Sequence, residues 1–477
     1  MPSLLHPRHL YRLARRNMRR AWLNYGFFWC GTVLVGLVAV FFARWANQAQ
    51  DGFVHVIAGR PWLALLITPT LTALCVWLTR KFFAGSEGSG IPQVIAAMHS
   101  PKRRQLIPRL FGLRIIIGKI GVGLLGLAGG LTIGREGPTV HIGASIMYEM
   151  RRFYPRVSRQ LERSLLLAGA AAGLSGAFNT PLAGVVFAIE EIARSFESRT
   201  NGTLITAIVV SGLVSVALSG NYLYFGQISS AITPHPSFIF PVLFAAVLCG
   251  AAGGLFNLLL LRQARWVPKL LLNIRASKPL LWGAGLGLVI AVIGIVSGGE
   301  TWGSGYEQAR AVLMNDKETV GYFYPLAKMG TMVLTYMAGT PAGLFSPSLS
   351  IGAGFGHAAS ALFPGESTSA IVAVCMVGYL AAVTQSPLTS FIIVMEMING
   401  SSLLIPLMAT ALVSSRVANF FTPPLYDALA HQNYGPTIEE VAISKKEPVP
   451  PDEAAVLAAK DATLSPNSAP ADKGAGR

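Results

Sequence analysis

Gly134-Arg135-Glu136-Gly137-Pro138-Thr139-Val140-His141-Ile142-Gly143-Ala144 is the stretch on which the reading of this chain turns. It returns 209 residues later as Gly343-Leu344-Phe345-Ser346-Pro347-Ser348-Leu349-Ser350-Ile351-Gly352-Ala353. Two further pairs keep the same order and nearly the same spacing. Gly88-Ser89-Gly90-Ile91 returns as Gly303-Ser304-Gly305-Tyr306, and Pro181-Leu182, nine residues before Glu190, returns as Pro387-Leu388, nine before Glu396. Chance supplies any one of these in a glycine-rich chain; three in order argue for two homologous halves. The matching segments are breaks, where Gly and Pro interrupt long apolar runs. Interrupted helices in paired halves are the pattern of transporters built from inverted repeats, whose site lies mid-membrane between the halves.

Composition supports a membrane setting. Only 13% of the 477 residues are Asp, Glu, Lys or Arg, about half the roughly 25% usual in soluble proteins, and mean hydropathy is +0.52. So few charges cannot coat a soluble body of this size, and lipid must solvate part of it. The four cysteines, Cys30, Cys75, Cys249 and Cys375, all sit in apolar runs and read as small core or lipid-facing residues, not a disulfide framework. The net charge of +16 does not mean nucleic-acid binding, because its distribution is wrong for it. Residues 1–23 hold six arginines and no acid, further basic clusters fall between apolar runs at 102–114, 151–163 and 262–278, and the stretch 220–240 has no charge. That alternation follows the positive-inside rule, with the basic loops cytoplasmic.

The resulting organisation is an all-α polytopic membrane protein. Residues 1–23 read as a basic amphipathic helix on the cytoplasmic surface, 24–220 as the first transmembrane repeat, 221–237 as a linker and 238–435 as the second repeat. Residues 436–477, rich in Pro, Ala and mixed charge, read as a disordered cytoplasmic tail. Several apolar runs are too short or too broken to span roughly 30 Å of hydrocarbon as one helix. Irregular backbone at membrane depth survives only where protein buries it or where it lines a cavity, so these breaks are where function is sought.

Glu136 is the most informative residue. A carboxylate between long apolar stretches marks a pathway or proton site; the plainer reading is a helix cap paired to Arg135. Pro138 suits the first turn of a helix, whose positive end would face the break. In the second half, Gly343–Pro347 has no acid but offers free N–H groups at Leu344 and Phe345 and another helix start. Gly88–Pro92 adds the Ser89 hydroxyl. Neutral donors and helix ends, without a clamping Lys or Arg, suit a dehydrated monovalent anion that must bind and then leave. Glu190 and Glu191 end an apolar run; adjacent helix residues point about 100° apart, so one can face inward while the other caps. The alternative is two acids at a membrane boundary. Tyr426 follows the last apolar run, where a lone tyrosine is usually an interfacial anchor. Lys119, inside an apolar run, reads as snorkelling or pairing locally, with added positive potential near a path as the other reading.

Other matches lead nowhere. Gly121-Val122-Gly123-Leu124-Leu125-Gly126 fits a dinucleotide fingerprint but lies within a spanning run, where small-residue packing accounts for it. No histidine or cysteine pair has metal spacing, and no nucleophile–base pair for an intramembrane hydrolase is visible. An enzyme is therefore not expected, and a purely structural or receptor-like protein would have no use for three glycine-flanked breaks.

With Gly88–Pro92, Gly134–Pro138, Gly343–Pro347 and Tyr426 in order, the sequence resembles the CLC family of chloride channels and proton/chloride antiporters over about residues 24–430. The resemblance implies an inverted-repeat bundle of many tilted and partial helices, a homodimer with one pathway per subunit, and a bacterial inner-membrane protein with cytoplasmic termini. It implies that Ser89, Tyr426 and the amides of Leu344 and Phe345 bind chloride. It makes Glu136 the external gating and proton glutamate, and Glu191 the internal proton glutamate of the antiporter branch. Chloride and protons would be the transported partners, with no cofactor. Serine at 89 favours chloride over nitrate. Gln93 and Ile95 stand where the well-studied bacterial antiporter type has acids, which leaves the inner proton route less defined. The activity implied is chloride/proton exchange, with a passive chloride channel on the same fold as the alternative.

Overall fold

The computed structural model describes residues 7–100, 103–154, 157–193, 201–220, 223–228, 236–315 and 320–435, with backbone only for 7–24, 103 and 201. The tail expected over 436–477 and most of the linker expected over 221–237 lie outside the described residues. The first half contains α1 (Pro7–Ile57), α2 (Ala64–Lys81), α3 (Ile91–His99), α4 (Arg103–Leu110), α5 (Leu113–Ala128) and α6 (Glu136–Met150). It continues with α7 (Arg159–Phe178), α8 (Pro181–Phe187), a π-helical turn Ala188–Ala193, and α9 (Asn201–Ser219). The second half holds α10 (Ile239–Leu261), α11 (Gln263–Trp266), α12 (Lys269–Ser277), α13 (Pro279–Val296), α14 (Tyr306–Leu313) and α15 (Tyr324–Met337). It ends with α16 (Phe345–Ser360), α17 (Thr368–Thr384), α18 (Pro387–Ile398), α19 (Leu404–Asn419) and α20 (Leu425–Tyr434).

Six helical stretches are long and apolar enough to cross a membrane, and α4 with α5, bent by 46°, make a seventh if counted as one broken span. The protein is an all-α, multi-pass membrane protein; among the described residues β-pairing is confined to isolated bridges. The backbone of α1 is helical without a break across residue 24, so the surface helix expected over 1–23 is not a separate element from the first span.

Proline and left-handed residues set the short helices. α7 closes at Asn179 (φ 57°) and α17 closes at Gln385 (φ 59°), its counterpart in the repeat. Each is followed by a non-helical residue and then a proline at the first turn, Pro181 of α8 and Pro387 of α18. A left-handed residue ends the ladder, and the proline forces its predecessor out of the helical region while starting the next helix.

The two halves meet as equivalents. The Gly134 N–H donates to the Gly343 carbonyl (3.0 Å) and the Gly343 N–H donates back (3.1 Å). Glu190 accepts the amides of Leu388 (3.1 Å) and Thr389 (2.7 Å), while Glu396 accepts those of Leu182 (3.1 Å) and Ala183 (2.8 Å). Contacts in which residue i meets j's equivalent and the reverse are the signature of a two-fold relation; here it operates within one chain. Packing repeats as well. α6 crosses α7 and α16 crosses α17 so closely that a Cβ on Gly143 or Gly352 would run into the facing helix's backbone, the small-residue crossing typical of membranes. Around these crossings every residue from Ala370 to Val383 is buried.

Candidate functional site

Four breaks converge on one buried region. α6 starts at Glu136 and α16 at Phe345, so their N-termini meet across the Gly134–Gly343 bonds. The first N–H groups of a helix lack intrahelical acceptors, and Leu344 and Phe345 stand at that start of α16. α3 starts at Ile91 behind Gly90, whose φ of +101° is open to glycine. Ser89, just before it, approaches α6 so closely that a Cβ on Gly137 would strike its Oγ. α20 brings in Tyr426, whose ring stacks on Phe345 at 6.2 Å and 16°.

Glu136 is fully buried. Its Oε1 accepts from Ser346 Oγ at 2.5 Å and from the Tyr224 hydroxyl at 3.2 Å, and its Oε2 accepts from the Ser346 amide at 3.4 Å. Arg135 Nε lies 3.7 Å from Oε1, but the same guanidinium also donates to the Ala43 carbonyl (3.0 Å) and Asn47 Oδ1 (2.7 Å) of α1. The pairing with Arg135 expected of a simple cap is therefore present but shared. The chief donors to the carboxyl come from the other half of the repeat, at the positive end of α16.

Ser89 and Tyr426 are both fully buried. The Tyr426 hydroxyl faces that of Ser89, with the carboxyls of Glu136 and Glu191 in electrostatic reach. The structure therefore brings together Ser89, Tyr426, Leu344, Phe345 and Glu136, with Tyr426 in the core and not at an interface. These buried hydroxyls stand beside two helix N-termini, where the backbone N–H groups and helix dipoles favour negative charge.

Glu191 lies in the π-helical turn, buried, and its Oε2 accepts from Ser386 Oγ, the N-cap residue of α18. Its neighbour Glu190 caps α18 instead. Gln93 is buried and its amide donates to the Glu87 carbonyl at 2.7 Å, bracing the turn before α3; Ile95 is core. Lys119 does not snorkel. It is fully buried in α5, and its ammonium donates to the Gly88 carbonyl at 2.6 Å. Its repeat equivalent, Lys328 in α15, donates to the carbonyls of Thr301, Trp302 and Gly303 at 2.8, 3.2 and 2.9 Å. Each half thus ties down its own Gly-Ser-Gly turn with a buried ammonium.

Three residues of the site go beyond the sequence reading: Ser346, Ser386 and Tyr224. Ser346 lies inside the quoted motif, and a serine three residues into a break that faces an acid was a usable signal. Ser386 was legible as the N-cap ahead of Pro387. Tyr224 sits in an uncharged, aperiodic stretch and carried none. No cluster of three or more potential metal ligands occurs among the described residues.

Known proteins match this arrangement. The H(+)/Cl(-) exchange transporter ClcA of Salmonella agona is 30% identical over 419 residues, covering 83% of this chain and 85% of the relative. The Salmonella typhimurium protein of the same name is 30% identical over 442 residues, covering 88% and 90%. Among solved structures, a slow cyanobacterial Cl-/H+ antiporter superposes with a TM-score of 0.71 at 25% identity, over 85% of this chain and 97% of that one. A CLC-type fluoride/proton antiporter gives 0.67 at 19% identity, over 84% and 96%, and shares the fold. The family profile described as voltage gated chloride channel matches residues 71–419. With its paired breaks meeting at two helix ends, the chain belongs to the voltage gated chloride channel (CLC) family.

Proposed function

We propose that this protein exchanges chloride for protons across the membrane, and that Glu136 is the group both ions share. The observation that carries the reading is the seat of Glu136: a carboxyl at the N-terminus of α16, taking that helix's amide and hydroxyl donors beside the Leu344 and Phe345 amides. Carboxylate and chloride are both monovalent anions and compete for the same helix end. Chloride arriving on Ser89 Oγ, the Tyr426 hydroxyl and those two amides displaces the carboxylate. The displaced carboxylate takes a proton from outside and can then return neutral or stay clear. Protons reach it from the other side by way of Glu191, held by Ser386. The two routes thus coincide at Glu136 and diverge toward Glu191, and exchange needs no large domain motion. No cofactor takes part. The relatives' names and the serine at 89 support chloride as the anion.

In the same proposal the protein acts as a homodimer, one pathway per subunit, in a bacterial inner membrane with both termini cytoplasmic; the basic clusters at 102–114, 151–163 and 262–278 support that orientation. The test is the reversal potential of vesicles holding the purified protein under crossed chloride and proton gradients. An exchanger's potential shifts with the pH gradient. A potential set by chloride alone makes the protein a passive channel and refutes exchange. Glu136→Ala is expected to keep chloride flux and lose coupled proton movement, and retained coupling would remove Glu136 from its role.

A further inference from the structure

We propose that Tyr224 is an external latch on Glu136, a positioning residue that sets how readily the carboxylate yields its seat; the inference rests on the gating role given to Glu136 above. Tyr224 is 3% exposed, and its hydroxyl stands at a junction. It donates to Glu136 Oε1 (3.2 Å), lies 3.3 Å from Ser346 Oγ, and accepts from Arg135 Nη2 (3.3 Å). The same guanidinium lies over its ring, 5.5 Å from the centroid. One phenol therefore links the acid, the donor from the other half that seats it, and the cation beside it.

The phenol is held in place and does not merely drift near. Phe178, Phe225 and Tyr306 meet its ring edge-on, at 5.2, 4.9 and 5.0 Å between centroids. The Tyr306 hydroxyl donates to Tyr224's own carbonyl at 2.7 Å. Tyr306 opens α14 directly after Gly303-Ser304-Gly305, the repeat equivalent of the turn that carries Ser89. The turn that offers an anion ligand in the first half thus braces the latch in the second.

The sign of the effect follows from the donor. A hydroxyl donating to a carboxylate favours the charged, seated form, and a hydrogen bond to a charged group shifts such an equilibrium by about tenfold or more. The other groups facing the carboxyl are Arg135 from its own loop, Ser346 from α16 and Tyr426 from α20. From α5, Lys119 is engaged on the Gly88 carbonyl, and α1 contributes Asn47 through Arg135.

The experiment is chloride efflux and coupled proton uptake from vesicles holding the full-length protein, across external pH, for Tyr224→Phe, Tyr306→Phe and Glu136→Ala, and for each tyrosine variant combined with Glu136→Ala. Tyr224→Phe keeps the ring and its edge-on contacts. We expect its chloride flux at neutral and alkaline pH to rise by about tenfold or more until another step limits it, and its pH of half-maximal flux to move up by at least about one unit. Tyr306→Phe moves the profile less, in the same direction. In the Glu136→Ala background neither substitution has an effect. If the Tyr224→Phe profile does not move while Glu136→Ala loses coupling, the latch is overturned alone. An equal change with and without Glu136 assigns Tyr224 a purely structural role and also overturns it. Coupling retained by Glu136→Ala overturns the gating reading and the latch with it. Should Tyr224→Phe fail to fold, an unmoved Tyr306→Phe profile overturns the proposal.

Discussion

Replacing Ser346 by Ala removes the shortest donor to Glu136 and should loosen the carboxylate more than any other single change at the site. Four interactions hold that carboxylate: the 2.5 Å bond from Ser346 Oγ, the 3.2 Å bond from Tyr224, the α16 N-terminus through the Ser346 amide at 3.4 Å, and the shared Arg135 guanidinium at 3.7 Å. A hydrogen bond to a charged group contributes about 1.5–3 kcal/mol net, and a helix end about 0.3–1 kcal/mol, up to about 2 where partly buried. The Ser346 hydroxyl is thus the shorter of the two charge-assisted side-chain bonds and among the largest contributors to the hold. Its loss shifts the balance between seated carboxylate and seated chloride by roughly 10–150-fold. The amide and the helix end remain in Ser346→Ala, so the chloride seat itself is kept. The assay is chloride efflux from reconstituted vesicles, read by a chloride electrode with external pH recorded alongside, on protein shown to elute as the wild type does. Chloride turnover at neutral pH should rise roughly tenfold or more, until another step limits it, and protons moved per chloride should fall as the carboxylate leaves uncharged less often. Turnover at or below wild type across the pH range would refute the reasoning, because it would mean that the hydroxyl serves the anion and not the acid.

Glu191→Gln should abolish proton movement while chloride flux persists, since the amide can keep the Ser386 bond but cannot carry a proton; coupling at the wild-type ratio would place the inner proton site elsewhere. Lys119→Met leaves the Gly88 carbonyl with the Ala342 amide (3.0 Å), whereas Lys328→Met leaves Thr301 with the Thr132 hydroxyl (3.1 Å) but takes the ammonium from the Trp302 and Gly303 carbonyls, at about 1–3 kcal/mol for an unsatisfied buried group. Lys328 serves three carbonyls against one for Lys119, so thermal unfolding in detergent should show the larger drop in midpoint for Lys328→Met. The reverse order would argue against the clamping role.

The fold was legible where backbone geometry restricts residue choice. Glycine at 88, 90, 134 and 343 and proline after each break mark turns that few other residues tolerate, so the repeat survived in the spelling of the chain. Glu136 was legible because a carboxylate stands out against apolar neighbours. What escaped is what only tertiary approach creates. Tyr224 gains its place from Phe178, Tyr306 and Arg135, which lie 46, 82 and 89 residues away in the chain, and an uncharged loop offers no periodicity to show it. The division of labour between Glu190 and Glu191 was open in sequence because either could have faced inward; the amides of Leu388 and Thr389 decide it. For Lys119, expected to snorkel or to pair locally, the Gly88 carbonyl decides for pairing; that acceptor belongs to the backbone and shows in no side-chain pattern. The unbroken α1 differs from the expected surface helix for a related reason: a basic, amphipathic start and an apolar continuation can share one ladder of backbone bonds.

The reciprocal bonds between Gly134 and Gly343 place Glu136 and Phe345 at corresponding positions. An axis lying in the plane of the bilayer swaps one side of the membrane for the other, so a perfectly duplicated protein would look the same from within the cell and from without. Nothing in such a molecule could tell arrival from departure. The acid in one copy and the aromatic ring in the other break that equivalence at its centre, and a palindrome becomes a sentence with a direction.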